Sequence, residues 1–393
     1  MTSPHSRRPF TVYLTLVMVA VNLRIGLTSI PTLEVEIQAA TGWSNAAIGT
    51  ITTIPVICMG LFALAVPRIA GTIGRRRTVA LALAILVVAL GSRVFAGQPI
   101  VLTTSALLVG TAIALAMGLV PSIVRGQLPT RMGRATGIWT GAMMISAAAG
   151  AALTVPLAEL FGSWQAALAF WALPALVGLV VWAVVEGTRD APTGTTPPVT
   201  QLRDMPWRSR PAWAITGFLT LNSIVFYTLV AWLAPSFVDR GWTQADAGFL
   251  FGAFTVSQVV AALTMPALVE RVQARRTIYT VSVIVVGVGL MSIGFLDGDA
   301  VIAAVVIMGF ALGAGFAMGL ALLSEFAHDM HSSARLTAMA LFVTYLAASI
   351  GPFVAGALLD AGTSWSTLYV LLGLAALLQT LTVSPLRRGV SIT

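Results

Sequence analysis

Residues 42–78 read GWSNAAIGTITTIPVICMGLFALAVPRIAGTIGRRRT, and residues 241–277 read GWTQADAGFLFGAFTVSQVVAALTMPALVERVQARRT. Laid over one another at an offset of 199, the two stretches share ten residues in 37 ungapped positions. Gly42-Trp43 falls on Gly241-Trp242, Ala46 on Ala245, Gly49 on Gly248 and Ala63-Leu64 on Ala262-Leu263. Pro67 then meets Pro266, and Arg76-Arg77-Thr78 meets Arg275-Arg276-Thr277. Apolar bias can supply the alanine and leucine matches, but hardly Gly-Trp and Arg-Arg-Thr at one spacing. At an offset of 201 the agreement continues: Arg134 with Arg335, Thr136 with Thr337, Gly150 with Gly351, and Ser163-Trp164 with Ser364-Trp365. The chain is a tandem duplication.

Each copy is apolar. Of 393 residues 58% are hydrophobic and 9% charged, against roughly a quarter charged in soluble domains. Apolar runs read in a window of about 19 residues predict twelve helices at 10–31, 45–67, 78–97, 100–124, 134–157, 165–186, 212–238, 246–269, 277–296, 300–324, 336–359 and 365–385. The run after Arg7 and Arg8 is long enough to be the first span rather than a cleaved leader. The expected fold is an all-α membrane protein with twelve transmembrane helices in two six-helix bundles, related by a parallel pseudo-two-fold repeat. Residues 1–186 form the first bundle and 212–393 the second. Between them, 187–211 is a cytoplasmic linker carrying Pro192, Pro197, Pro198 and Pro206.

All 22 basic residues are arginine. The absence of lysine removes any Gly-Lys-Ser/Thr phosphate loop and any lysine nucleophile, so an ATP-driven pump is not expected. Cys58 is the only cysteine, which excludes an intrachain disulfide and a cysteine-rich metal site. With the N-terminus inside, 19 of the 22 arginines fall on the inner side. Arg240 and Arg93 are placed at the outer side, and Arg24 lies within the first span. Eight acids (Glu34, Glu36, Glu159, Asp239, Asp246, Asp297, Asp299 and Asp360) lie at outer ends or loops. That asymmetry predicts a multi-pass protein of the cytoplasmic (inner) membrane with both termini cytoplasmic. It also accounts for the net charge of +8 through topology and anionic lipid rather than nucleic acid.

Two halves in the same orientation resemble the major facilitator superfamily over nearly the whole chain. Gly74-Arg75-Arg76-Arg77 looks like the end of that superfamily's loop signature, although Pro67 and Gly71 stand where glycine and aspartate are usual. Further segments are similar to the cyanate permease family, the branch with cyanate and 2-nitroimidazole transporters. They are Asn22-Leu23-Arg24, Gly60-Leu61-Phe62-Ala63 before Pro67-Arg68, Leu119 to Ile123 running into Leu128-Pro129, Trp164 with Trp171, and Phe226 to Leu233. The resemblance implies a monomer working by alternating access, with a central cavity lined by helices 1, 4, 7 and 10 and contributions from 2, 5, 8 and 11.

Arg24 is the strongest site signal. It lies about 20 Å along the first helix, at mid-membrane depth, where an unpaired arginine costs roughly 2.5–3.5 kcal/mol and marks a solute path. No span offers a carboxylate at matching depth, so Arg24 suits a small anionic or polar solute. Thr28 shares its face, whereas Asn22 points nearly opposite and reads as an interhelical hydrogen bond. By position, Trp139, Asn222, Tyr227, Gln258, Tyr345 and Ser349 complete the expected substrate-binding set. Met143 and Ser146 follow Trp139 at helical spacing, Ser223 shares a face with Tyr227, Asn222 pairs with Phe226, and Pro352 is a candidate kink. Arg125 and Glu325, at inner helix ends in near-equivalent repeat positions, form an expected gating ion pair. No cofactor or metal is expected: His328, Asp329 and His331 lack further ligands, and Gly313-x-Gly315 lacks the strand of a nucleotide site. No clustered acid, base and nucleophile share one depth, so the chain does not read as an enzyme. Coupling to protons or to a counter-ion is open, and drug/proton antiport of small lipophilic compounds is the alternative.

Overall fold

The Gly-Trp identities have a conformational origin. Gly42 and Gly241 adopt φ of 70° and 90° in the turns after the first and seventh helices, a region that costs other residues about 1–2 kcal/mol. Trp242 then folds back, its N–H donating to the Phe237 carbonyl at 3.0 Å and its ring lying 5.1 Å from the Phe237 ring. Serines at 44, 163, 209 and 364 start the following helices, each accepting a backbone N–H in the first turn.

This computed structural model describes residues 9–128, 131–186, 202–271, 275–325 and 330–383. Among them there is no strand, and eleven helices are long and apolar enough to cross a membrane, with a twelfth, shorter apolar one at Thr277–Ile293. In chain order the spans are α1 (Phe10–Thr41), α2 (Asn45–Ala63), α3 (Arg75–Phe95), α4 (Pro99–Gln127), α5 (Met132–Phe161) and α6 (Trp164–Val185). The second six are α7 (Arg210–Val238), α8 (Gln244–Arg271), α9 (Arg275–Ile293), α10 (Gly298–Glu325), α11 (Arg335–Asp360) and α12 (Trp365–Thr382).

Two boundaries differ from the sequence reading. The first helix does not stop near residue 31: a 3-10 turn at Pro31–Leu33 leads into Glu34–Thr41, so Glu34 and Glu36 ride on the helix rather than in a loop. The second helix ends at Ala63, and Val66–Ile73 forms a separate short helix with a proline in its first turn. Residues 187–201 of the linker lie outside the described set.

Packing repeats between the halves. In the first, α1 lies against α5 and α6, α4 against α2 and α3, and α3 against α6. In the second, α7 lies against α11 and α12, α10 against α8 and α9, and α9 against α12. The halves meet mainly where α2 packs on α11 and α8 on α5. Here the other repeated glycine does its work. A Cβ on Gly49 of α2 would lie 2.5 Å from the Pro352 carbonyl oxygen of α11, and one on Gly248 of α8 2.6 Å from that of Ala151 of α5. Both crossings therefore need glycine at equivalent positions. Large apolar side chains such as Val88, Leu160, Val184 and Leu381 are exposed around the outside, as a lipid-facing belt requires.

Candidate functional site: a cavity between the halves

The helix of α1 lapses at Val21–Arg24. Around the lapse, Asn22 and Leu23 donate their N–H groups only three residues back, to Val19 and Ala20 at 3.1 Å. Both flanks are anchored, but Asn22 bonds within α1 rather than to another helix as expected. The Asn22 amide donates to the Met18 carbonyl at 2.7 Å and lies against Gly178 of α6. On the other flank, the Thr28 hydroxyl donates to the Ala147 carbonyl of α5 at 2.9 Å. Between these anchors Arg24 reaches toward the second half. Its Nη1 donates to the Tyr227 hydroxyl at 3.3 Å, and its guanidinium carbon sits 5.5 Å from the Phe226 ring centre and 5.7 Å from that of Tyr227. Arg24 is 5% exposed, and its Nε–H has no acceptor. Among the described residues no carboxylate pairs with it.

The space Arg24 enters measures about 530 Å³ including the part open to solvent. From α7 come Asn222, Ser223, Phe226 and Tyr227; from α8, Gln258 and Ala262; from α10, Gly313 and Phe316; from α11, Tyr345; and from α5, Thr140 and Met144. The Tyr227 and Tyr345 rings meet edge to face with centres 6.3 Å apart. Asn222 is oriented by donating to the Leu312 carbonyl of α10 at 3.2 Å. Buried Gln258 presents an Nε2 with no acceptor. The cavity thus offers unsatisfied donors on both halves, Arg24 Nε and Gln258 Nε2, between aromatic walls. Such a surface suits a flat solute rich in acceptors.

The structure brings together Arg24, Asn222, Tyr227, Gln258 and Tyr345 of the expected set. Thr28, Trp139 and Ser349 do not line the cavity. Thr28 spends its hydroxyl on the α1–α5 contact, and Trp139 is packed in the hydrophobic core. At Ser349 the α11 helix is interrupted between Ala348 and Ile350, three residues before Pro352. Its hydroxyl donates to the Leu346 carbonyl, while its own carbonyl accepts from Thr53 of α2 at 2.7 Å. On α5 the cavity is lined by Thr140 and Met144 rather than Trp139 and Met143: the face is one residue, or about 100°, from the one expected. Phe226, Ala262, Gly313 and Phe316 are further lining residues; the 222, 223, 226, 227 spacing was the signal for Phe226. The side chains of Arg125 and Glu325, and His328 and Asp329 between α10 and α11, lie outside the described set. Of the two arginines placed at the outer side, Arg93 is fully buried, and half-buried Arg240 donates to the Ile293 carbonyl at 2.7 Å.

At the end of the bundle opposite Pro9 and Val383, the halves are latched. Asp360, closing α11, accepts the Asn45 and Ala46 N–H groups at the start of α2 at 2.9 and 2.8 Å. Gln244 of α8 donates to Glu36 of α1 at 2.8 Å.

Residues 12–238 and 233–389 match the profile of the Major Facilitator Superfamily, together nearly the full chain. The chain belongs to the major facilitator superfamily. The 2-nitroimidazole transporter of Escherichia coli (strain K12) is 30% identical over 362 residues, 92% of this chain and 91% of that protein. Cyanate transport protein CynX of the same organism is 29% identical over 347 residues, 88% of this chain and 89% of its own length. These relatives match the cyanate permease branch read from the sequence. Among solved structures, the nucleoside transporter NupG superposes with a TM-score of 0.77 at 12% identity, covering 96% of this chain and 98% of NupG; it speaks to the fold alone. As a superfamily member with transporter relatives, the chain is a membrane transporter and not an enzyme.

Proposed function

We propose that this superfamily member carries a small, flat, acceptor-rich solute, anionic or strongly polar, across the cytoplasmic membrane by alternating access. The observation that carries this reading is Arg24: a guanidinium at mid-span, facing a cavity between the halves, with a free Nε–H and no carboxylate beside it. A resident cation without a counter-ion attracts an anion or a nitro-like acceptor and repels a cation. The solutes in the relatives' names, cyanate and 2-nitroimidazole, are of that kind. Efflux of lipophilic cations is disfavoured because the one charged group lining the cavity among the described residues is positive.

In this reading the bundle of residues 1–186 rocks against that of 212–393. Gln258 and Asn222 orient the solute from the second half, and Tyr227 and Tyr345 stack on it. The arginine-rich end, with both termini, faces the cytoplasm, and the protein works as a monomer. Arg125 and Glu325 close that cytoplasmic end as an ion pair. Reversing both charges together restores transport lost in either single reversal; failure to do so removes the pair from the mechanism.

Thermal stabilisation of detergent-purified protein tests the reading, since a solute at a hundred times its Kd adds about 2.7 kcal/mol to apparent stability. Cyanate or 2-nitroimidazole raises the midpoint of the wild type and not of Arg24→Ala. Equal stabilisation of both forms by lipophilic cations alone overturns the proposal.

A further inference from the structure

Arg93, near the far end of α3, is 0% exposed. A guanidinium enclosed so completely must satisfy its donors locally, and this one does so with neutral acceptors. Its Nε donates to the Ser105 hydroxyl of α4 at 2.7 Å, its Nη1 to the Ser29 hydroxyl at 3.4 Å, and its Nη2 to the Gly26 carbonyl at 2.8 Å. Two of these three acceptors belong to the segment of α1 just beyond the lapse at Val21–Arg24. Within its own helix that segment is held only by a short run, Leu27 and Thr28 donating to the Arg24 carbonyl and Ser29 to that of Ile25. The helix restarts only as Ile25–Thr28, and Pro31 supplies no N–H to the carbonyl four residues before it. Gly26 also lies flush on the neighbouring helices: a Cβ there would meet Leu90 of α3 at 3.0 Å and Val109 of α4 at 3.2 Å.

We infer that Arg93 is a positioning residue for the solute site: by clamping Gly26 and Ser29 to α3 and α4, it fixes the interrupted turn of α1 and so the aim of Arg24. The inference rests on the reading of Arg24 as the solute contact. The three tethers of the interrupted stretch divide the work. Asn22 fixes the side before the lapse by capping its own helix against α6, Thr28 ties the far side to α5, and Arg93 ties it to α3 and α4. Without Arg93 the last tether is gone, and three acceptors are left in a dry interior where an unpaired polar group is expensive. Residues 25–30 then sample positions from which Arg24 no longer meets the solute, and misplacement of about 1 Å is enough to cost a factor of up to about 100.

Two readouts test this on the full-length protein in detergent, one without any solute. Amide hydrogen exchange across residues 25–30 speeds up at least tenfold in Arg93→Met, while α2 and the second half keep wild-type protection. The midpoint shift caused by cyanate and by 2-nitroimidazole falls in the same variant, corresponding to about tenfold weaker binding. Arg93→Lys, whose compact ammonium keeps the charge but cannot span all three acceptors, lies between. Should Arg93→Met fail to fold, Ser105→Ala and Ser29→Ala stand in: each removes one acceptor, and the exchange increase is larger for Ser105, the shorter bond. Unchanged exchange across 25–30 in the folded variants overturns the inference whether or not a solute has been found. Faster exchange with unaltered solute binding overturns it too, because Arg93 is then structural only. If neither solute stabilises the wild type, the proposed substrate class fails, and the exchange experiment still decides whether Arg93 holds the turn.

Discussion

Removing the Asp360 carboxylate should open the end of the transporter opposite Pro9 and Val383. The two N–H groups that it accepts, Asn45 and Ala46, begin α2, while Asp360 itself closes α11. The interaction therefore crosses between halves, and a conformation in which this end opens cannot keep it. A side-chain acceptor at a helix start is worth about 1 kcal/mol, and a negative charge there adds about 0.3–1 kcal/mol from the helix dipole. Asp360 is exposed, which keeps the sum near the lower end, about 1 kcal/mol, or about a fivefold change in the open population. Ser44 continues to cap α2 from within its own half, so helix stability is largely unaffected and the change falls on the closure. The assay uses Cys58→Ser to remove the lone thiol and Ser223→Cys as a probe in the cavity. A membrane-impermeant thiol reagent applied at the Asp360 side should label Asp360→Ala about five times faster than its parent. Asp360→Asn, which keeps an acceptor without the charge, should fall between. Glu159 supplies the control, since the 201-residue offset pairs it with Asp360. Its counterpart, the start of α8, is already capped by Thr243 just before it, whose hydroxyl accepts the Asp246 N–H at 3.1 Å and donates to the Asp246 carboxylate at 2.6 Å. Glu159→Ala should leave labelling unchanged. Equal rates in Asp360→Ala and its parent, or equal acceleration by Glu159→Ala, refute the latch.

Arg24→Lys should recover only a small part of the solute affinity lost in Arg24→Ala, because an ammonium keeps the charge but not the planar fork; the ratio of KM values in transport assays measures it. Gly49→Ala and Gly248→Ala each drive a methyl into a carbonyl of the other half, at about 1–3 kcal/mol of overpacking. Both should lower the melting midpoint and slow transport, and a neutral result at either position removes that crossing from the argument. Thr28→Val keeps the shape of the side chain but removes the hydroxyl that ties α1 to the Ala147 carbonyl. The expected loss is about 1 kcal/mol, read as a lower melting midpoint with the solute's KM raised.

Hydropathy and the internal repeat made the twelve spans legible, because a bilayer demands long apolar runs and a duplication repeats its turns and crossings. What they could not locate was the lapse in α1. Asn22 and Arg24 mark the place in the sequence, but the groups that anchor the helix beside the lapse, Gly178, Ala147 and Arg93, are distant in sequence. The same limit governs the site. On α7 the stripe of Asn222, Ser223, Phe226 and Tyr227 was visible because polar and aromatic residues stand out along a mostly apolar helix. On α5, small residues such as Gly137, Gly141, Ala147 and Gly150 surround the helix on every side. No polar stripe fixes its rotation, and the large Trp139 drew attention to a face that is in fact core. The burial of Arg93 was illegible for a related reason: nothing local to it announces that Ser29, Ser105 and Gly26 close around it.

The repeat also explains why the cavity lies where it does and why it is chemically one-sided. The 199-residue offset that pairs Gly49 with Gly248 pairs Arg24 with Ser223, and the 201-residue offset of the later helices pairs Met144 with Tyr345. All four side chains line the cavity. Equivalent positions of the two halves thus face one another across the space, as expected for a site on the pseudo-two-fold axis. The packing positions have stayed alike, since both inter-half crossings still need a glycine. The facing positions have diverged, to a guanidinium opposite a hydroxyl and a thioether opposite a phenol. In the proposed reading the halves rock on a shared frame, and a solute drawn to the charge of Arg24 meets an ion contact from the first half and aromatic faces and amides from the second. Closing about such a solute brings the neutral wall to the charged one. That approach is favourable when the solute carries the missing negative charge and unfavourable when the cavity is empty, because closure then desolvates Arg24 without a partner. Solute-dependent closure follows from one unpaired arginine on one side of a duplicated frame.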